Sequence, residues 1–121
     1  MGASLTEIVI DCNDVTLVSN FWSAVLDWPL QRSDSGEVWM SATGGYDARP
    51  FIVFVPVGEP KTVKDRIHLD VSPRGCDQAE ELERLLALGA THADVGQGEQ
   101  RWIVLADPEG NEFCLLGRRL D

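Results

Sequence analysis

The sequence is poor in basic residues and contains no long apolar run. Its 121 residues include 10 lysines and arginines against 20 aspartates and glutamates, which gives a formal net charge of −10. Because such a charge repels nucleic-acid phosphates, we expect no nucleic-acid partner. The apolar runs are far too short to cross a bilayer, and no basic region followed by an apolar core opens the chain. We therefore expect neither a membrane partner nor a secretory signal.

Cysteine is also scarce. The three cysteines, Cys12, Cys76 and Cys114, are an odd number and lack the paired spacing of a metal knuckle. A chain of this length buries enough surface to fold without a disulfide. These features favour thiols in a reducing, cytoplasmic setting and a single domain over residues 1–121.

The first half of the chain has the pattern of a strand, a helix and three further strands. Residues 5–12 alternate between an apolar and a polar face. In the helix that follows, Asp14 is the predicted N-cap and Asp27 the stop. Its apolar side chains recur at helical spacing and are predicted to face the core: Val18, Phe21, Trp22 and Val25. The remaining strands are predicted at 30–33, 37–42 and 50–57.

The second half repeats this order. A strand at 65–72 precedes a helix that Asp77 caps and Gly89 ends. The helix is predicted to turn four apolar side chains inward: Ala79, Leu82, Leu85 and Leu86. Short strands are predicted at 91–95, 101–106 and 111–116. The chain is therefore expected to form two βαβββ units, residues 5–57 and 65–117, joined by the polar stretch "VGEPKTVK".

Four stretches in this order and spacing, "NFWSAVLDW", "RIHLDV", "LLALGAT" and "DPEGNEFCLL", resemble the vicinal-oxygen-chelate superfamily. This superfamily is also called the glyoxalase/bleomycin resistance/dioxygenase superfamily, and the chain is most similar to its small bacterial glyoxalase-like proteins. The resemblance covers nearly the whole chain. It implies an α+β fold in which the curved mixed sheets of two βαβββ units form a central cup, with a small-molecule ligand inside. It also implies a homodimer.

Metal-dependent members of the superfamily carry ligands on the first and last strands of each unit. Carried over by position, these fall on Glu7, on or next to Phe54, on Arg66 and on Cys114. Only Glu7 suits a hard metal, since an arginine has no lone pair to give at neutral pH and would repel a cation. We therefore expect no bound metal and no other cofactor.

The strand at 65–72 carries the candidate catalytic histidine. Its polar side chains are predicted to line the cup together: Arg66, His68 and Asp70. Its apolar side chains are predicted to meet a helix: Ile67, Leu69 and Val71. Since the first and last strands of a unit are neighbours in this fold, His68 is expected within reach of Glu112 or Cys114. A His68–Glu112 pair would act as a general base, or else only satisfy two half-buried polar groups by a hydrogen bond.

The last strand and the turn before it carry a second candidate reactive group, the Cys114 thiol. Asp107 and Gly110 are predicted to shape the turn that aims Glu112 and Cys114 into the cup. A nearby Arg66 or protonated His68 would lower the pKa of the Cys114 thiol and make it reactive. The alternative is that Cys114 packs as a small apolar residue. The other candidates are predicted to have no role: Cys12, which is buried, Cys76, which is partly exposed, and His92, which is on the surface.

Two functions fit these residues. In the first, a metal-independent lyase or isomerase acts in the cup through His68 and Glu112, while Arg66 holds an anionic group of the substrate. In the second, the protein binds a drug or metabolite without turnover, and its acids attract a cationic ligand. The acids that would supply this field are Glu7, Asp11, Asp70 and Glu112. The two tryptophans, Trp39 and Trp102, are predicted either to form aromatic walls of the cup or to pack in the core. The residues predicted to bind the ligand are Glu7, Trp39, Phe54, Arg66, Asp70, Trp102 and Cys114.

Overall fold

The structure is a computed structural model that describes residues 1–94, 96, 98 and 100–121. It divides into two compact units, Met1–Pro60 and Lys61–Asp121. The boundary lies inside the joint that the sequence indicates at 57–64. Over the described residues, each unit contains one helix and one four-stranded mixed sheet, which confirms the predicted α+β fold of two βαβββ units.

The first unit contains five elements: β1 (Glu7–Cys12), α1 (Val15–Leu26), β2 (Leu30–Arg32), β3 (Val38–Met40) and β4 (Phe51–Pro56). Its sheet has the order β1-β4-β3-β2, and β1 pairs with β4 in parallel over its whole length. The other two pairings are antiparallel. The first and last strands of the unit are therefore neighbours, as predicted.

Local signals in the sequence determine where α1 begins and ends. The Asp14 carboxylate accepts a hydrogen bond from the Leu17 N–H at 3.0 Å and so satisfies one of the open donors of the first turn. Asp27 takes the left-handed conformation that closes the helix, with φ 55°. The four predicted core side chains are buried: Val18, Phe21, Trp22 and Val25. α1 packs against β2, β3 and β4.

Among its described residues the second unit also contains five elements: β5 (Asp70–Val71), α2 (Gln78–Leu88), β6 (Thr91–His92), β7 (Ile103–Ala106) and β8 (Glu112–Leu115). Its sheet has the order β5-β8-β7-β6, with β5 and β8 parallel and the other pairs antiparallel. The strand predicted at 91–95 covers only its first two residues here, and Val95 lies outside the described residues.

The first strand of the second unit is much shorter than predicted. Only Asp70 and Val71 pair with β8, and residues 66–67 form a bend. The Asp65 N–H donates to the side-chain carboxylate of Glu112 in β8 at 3.0 Å rather than to a backbone carbonyl. Ile67 lies in this bend and does not face a helix as predicted but is 86% exposed.

The buried face of α2 differs from the predicted one. Asp77 caps the helix and Gly89 ends it in the left-handed region, as predicted. However, Ala79 is exposed and Leu86 is 37% exposed. Leu85 is buried as predicted and Leu82 is half-buried, but the other buried residue of the helix is Glu81. An apolar pattern does not reveal this face, because the buried acid is satisfied by two bonds from the Arg84 guanidinium, at 2.6 and 2.8 Å.

Among the described residues, neither helix has the length and apolarity that are needed to cross a membrane.

Candidate ligand-binding site on the second sheet

A cavity of about 290 Å³ lies on one face of the second sheet. Asp70 pairs in register with Cys114, and Cys114 with Val104, so these three side chains share that face. The walls are mostly apolar with a few polar groups, and the lining residues are Lys64, His68, Asp70, Trp102, Val104, Glu112, Phe113, Cys114 and Leu116. This size and composition are typical of a site for a small organic molecule.

The turn before β8 positions two of the lining residues. The buried Asp107 carboxylate accepts hydrogen bonds from the backbone N–H groups of Glu109 and Asn111, at 2.9 and 3.0 Å, and from the Asn111 amide at 2.9 Å. Gly110 supplies the positive φ, 90°. The predicted role of the turn is thus confirmed, because this rigid loop directs β8 so that Glu112 and Cys114 lie on the cavity face.

His68 lies beside Asp70 rather than beside Glu112. Its Nδ1 is 3.3 Å from Asp70 Oδ1, and the two side chains are 44% and 45% exposed. The donor atoms of His68, Asp70 and Cys114 all lie within 4.8 Å of one another. The predicted proximity of His68 to Cys114 is therefore confirmed, whereas the predicted His68–Glu112 pair is replaced by His68–Asp70.

Both oxygens of the Glu112 carboxylate accept hydrogen bonds from other residues of the second unit. Oε1 accepts a hydrogen bond from Lys61 Nζ at 2.9 Å, and Oε2 accepts one from the Asp65 N–H at 3.0 Å. Burial alone would raise the pKa of Glu112, but the Asp65 N–H and the Lys61 ammonium together lower it to about 2. A carboxylate with so low a pKa is a poor proton acceptor at neutral pH, which argues against Glu112 as the predicted base.

The Cys114 thiol is not activated in the way that the sequence suggested. It is 7% exposed. Burial, the negative charge of Asp70 and a hydrogen bond to Asp70 raise the pKa of Cys114, and Lys64 only partly opposes them. Arg66 is exposed, is not among the residues that line the cavity, and does not lower this pKa. Among the residues that line the cavity, the basic side chain is Lys64. The alternation of 64, 66, 68 and 70 could not have singled it out, because the bend at residues 66–67 interrupts that alternation.

The predicted site residues of the first unit do not all share one face. Glu7 pairs with Phe51, and Val9 with Val53, which in turn pairs with Trp39, so Glu7 and Trp39 lie on the same face. Asp11 also belongs to this face. Phe54 is a neighbour of Ile10 in register and is buried on the face opposite Glu7. Of the positions on or next to Phe54 that the sequence indicated, Val53 and Val55 therefore share the face of Glu7, whereas Phe54 does not.

The two tryptophans are not equivalent. Trp39 lies inside β3, where it stacks on Tyr46 at a ring distance of 4.8 Å and meets the edge of Phe51 at 5.4 Å. Trp102 precedes β7, lines the cavity and is 40% exposed. The sequence did not single out Tyr46, because it lies in a glycine-rich turn far from any periodic pattern.

The residues predicted to have no role lie as expected. Cys12 is buried, and its Sγ is 3.3 Å from the Ile10 carbonyl oxygen. Cys76 is half-buried and its pKa is raised by burial and by Glu81. His92 is exposed on β6, the terminal strand of its sheet. All three cysteines are thiols.

Residues 7–116 match the model of the family described as "Glyoxalase-like domain". The chain therefore belongs to the glyoxalase-like domain family, within the superfamily that the sequence resembles. No curated protein matches the chain.

Solved structures with the same fold include three that cover nearly all of the chain. The fosfomycin resistance protein FosX from Mesorhizobium loti is 18% identical, with a TM-score of 0.70 over 98% of this chain and 95% of its own. A glyoxalase/bleomycin resistance protein/dioxygenase family enzyme from Burkholderia phytofirmans PsJN is 18% identical, with a TM-score of 0.61 over 93% and 97%. A mutant of FosX from Listeria monocytogenes, complexed with Mn(II) and 1S,2S-dihydroxypropylphosphonic acid, is 21% identical, with a TM-score of 0.64 over 96% and 90%. At these identities the likeness shows the fold.

The positions that carry metal ligands in the superfamily do not suit a hard metal such as manganese in this chain. Phe54 has no donor atom and lies on the opposite face of its sheet from Glu7. Arg66 is a cation without a lone pair at neutral pH. Cys114 offers sulfur, which is a soft ligand, where a hard ion requires oxygen. A metal held as the resemblance implies therefore does not fit these residues.

Proposed function

We propose that this member of the glyoxalase-like domain family binds a small organic molecule in the cavity of its second unit. The observation that carries this proposal is the cavity of about 290 Å³ with a half-exposed Trp102 in its wall. A large aromatic side chain left open to solvent forgoes the free energy of burial that a ligand would restore. The family to which the chain belongs supports the same general role.

The lining defines the chemical class of the ligand. Trp102, Val104 and Leu116 suit an apolar body of about the size of one ring system. At the polar end, Asp70 accepts hydrogen bonds, and Lys64 supplies a positive charge in place of the predicted Arg66. A small molecule with an aromatic or aliphatic body and one polar head group fits this arrangement.

Binding without turnover is the function that the geometry supports best. The Glu112 carboxylate is held by Lys61 and Asp65, and the raised pKa of Cys114 keeps the thiol protonated at neutral pH. The sequence-based hypotheses gave a chemical role to His68, Glu112 and Cys114. The last two of these groups are thus unsuited to catalysis. A drug- or metabolite-binding protein of the resistance type remains consistent with every lining residue.

A metal-independent lyase or isomerase is the second candidate, and one contact favours it. Asp70 lies against Nδ1 of His68, 3.3 Å away, which is the arrangement that orients an imidazole and leaves Nε2 for proton transfer. In this version His68 removes a proton from the bound molecule, and Asp70 takes the orienting role that the sequence assigned to Glu112.

A ligand screen on chelator-treated protein tests the proposal. Binding is measured by thermal shift and by quenching of tryptophan fluorescence. Compounds that bind to the wild type should fail to bind to Trp102→Ala and His68→Ala but should bind normally to His92→Ala, the matched control in the same unit. Binding that survives both cavity substitutions would contradict the site. Conversion of the ligand to product, lost in His68→Ala and Asp70→Asn, would favour the lyase or isomerase over the binding protein.

We also propose that the protein forms a homodimer. Several large apolar side chains are exposed in the single chain, among them Val9, Leu17 and Ile67. With a net charge of −10 opposing association, an interface between two copies would need such apolar contacts. Light scattering at micromolar concentration should give twice the mass of the 13.3 kDa chain. A mass of one chain at all concentrations would contradict this.

A further inference from the structure

We infer that Lys64 gives the cavity a preference for ligands with an anionic head group, such as a carboxylate. This inference rests on the proposed function and specifies its ligand. Lys64 belongs to the cavity wall, and its ammonium offers three N–H donors. Its Nζ donates to the Asp65 carbonyl oxygen at 3.3 Å, a long contact. Within the part of the chain that the structure describes, no carboxylate forms an ion pair with Lys64, so its charge is available to a ligand.

The two carboxylates in the cavity wall already have partners. Glu112 Oε1 is 2.9 Å from Lys61 Nζ, so its negative charge is compensated. Asp70 Oδ1 lies 3.3 Å from His68 Nδ1, and Asp70 also forms a hydrogen bond with the Cys114 thiol. These carboxylates gain less from a cationic ligand than the ammonium in the same wall gains from an anionic one. The cavity therefore favours an anion, although the chain as a whole has a net charge of −10.

Glu112 positions Lys64 from both sides. Its Oε2 accepts a hydrogen bond from the N–H of Asp65, at 3.0 Å. Its Oε1 accepts one from Lys61 Nζ, which also donates to the Val63 carbonyl oxygen at 2.6 Å. The residues before and after Lys64 are thus tied to one carboxylate of β8. A backbone fixed in this way lowers the entropy that the long lysine side chain loses when it binds a head group.

Arg66 provides the contrast with the sequence-based hypothesis, which assigned the anionic group to it. Arg66 lies two residues from Lys64 and carries the same charge, but it is exposed and is not among the residues that line the cavity. Removal of either side chain changes the net charge of the protein by the same amount. The two substitutions therefore separate a direct contact with the ligand from the general field of a positive charge.

Calorimetric titration of the full-length protein with matched pairs of ligands tests the inference. The probes are 3-phenylpropanoate and indole-3-acetate, each compared with its primary amide, which is neutral and has nearly the same shape. The wild type should bind each carboxylate about 10-fold more tightly than the amide, since a partly exposed charged hydrogen bond is weaker than a buried one. Lys64→Met should remove this preference and leave the affinity for the amide unchanged. Lys64→Arg should retain most of it, and Arg66→Met should retain it in full.

A double variant tests the positioning role of Glu112. Lys61→Met combined with Glu112→Gln breaks the anchor but leaves the summed charge of the pair at zero. The preference for the carboxylate should fall to less than about 3-fold, because Lys64 is no longer held at the cavity. A merely structural role would instead weaken the binding of carboxylate and amide by the same factor. Should this variant fail to fold, Lys64→Met and Arg66→Met decide the inference.

Two results would overturn the preference for an anion and leave the proposed cavity standing. The first is equal affinity of the wild type for carboxylate and amide. The second is a preference that Arg66→Met removes and Lys64→Met does not. Failure of both members of every pair to bind would count against the proposed function itself, and the inference would fall with it.

Discussion

The two units share one topology but differ in their first strand. β1 pairs with β4 over six residues, whereas β5 pairs with β8 over two. In the second unit the chain before β5 is tied to the Glu112 side chain instead of to the ladder. Lys64 and His68 come from this irregular segment and line the cavity. The shortened first strand of the second unit thus leaves room for a ligand cavity that residues of the irregular segment line.

The helices differ in the same direction. α1 buries Val18, Phe21, Trp22 and Val25, while α2 buries Leu85 and the paired Glu81. The first unit is therefore held chiefly by apolar burial. Polar anchors contribute more in the second unit, in particular the bonds of Glu112 and of Asp107. Substitutions in both units test this contrast.

Trp22→Ala should have the largest effect. The side chain is buried in α1 and meets Phe21 edge-on at a ring distance of 5.3 Å. We expect a loss of about 3–5 kcal/mol in the free energy of unfolding, measured by urea denaturation. Leu17→Ala on the exposed face of α1 is the control and should cost less than about 1 kcal/mol. A loss for Trp22→Ala no greater than that of the control would contradict the apolar character of this unit.

Leu85→Ala and Leu86→Ala decide the orientation of α2. Leu85 is fully buried, whereas Leu86 is 37% exposed. Leu85→Ala should lower the free energy of unfolding by about 2–4 kcal/mol and Leu86→Ala by about 1 kcal/mol or less. Equal losses, measured by urea denaturation, would restore the apolar face that the sequence predicted.

Glu112→Gln should remove the charged anchor of the second unit. We expect a loss of about 2–3 kcal/mol at pH 7, because two hydrogen bonds to a carboxylate are weakened. Because the pKa of Glu112 is lowered to about 2 by folding, the wild type has this stabilisation in full above about pH 4.5 and loses it as the pH falls toward 2. Burial and the Glu112 charge raise the pKa of Asp65, which partly offsets this trend.

Unfolding by urea at a series of pH values measures the effect. Between pH 5 and 2.5, the stability of Glu112→Gln should fall less steeply than that of the wild type. The control is Glu83→Gln on the exposed part of α2, which should follow the wild-type curve. A Glu112→Gln curve parallel to the wild type would show that the carboxylate is not engaged.

His68→Ala should have the smallest effect on stability. Its contact with Asp70 is nearly half exposed, so the loss should be about 0.5 kcal/mol. Ligand binding in the cavity should nevertheless be lost, as measured by fluorescence titration. A large loss of stability with unchanged binding would make His68 a structural residue.

Much of the fold could be predicted because its signals are local. Asp14 and Asp77 cap the starts of their helices and Gly89 caps the end of one, each through hydrogen bonds to residues close along the chain. The alternation of β8 likewise predicts which side chains share a face. The hydrophobic pattern did not predict the buried face of α2, because a polar side chain is buried there. Glu81 is buried in α2 because Arg84 pairs with it, and no hydrophobic pattern records that pair.

Four features could be predicted from residue order alone: the two repeated units, the helix caps, the turn at Asp107 and the proximity of His68 to Cys114. These depend on contacts close along the chain or on the pairing that the repeat implies. Other contacts became evident only from the three-dimensional structure. Glu112 accepts hydrogen bonds from Lys61 and Asp65, which are 51 and 47 residues away. Asp70, rather than Glu112, lies beside His68. The physical reason is that a buried carboxylate needs hydrogen-bond donors, and residue type and spacing do not encode which distant donor will reach it.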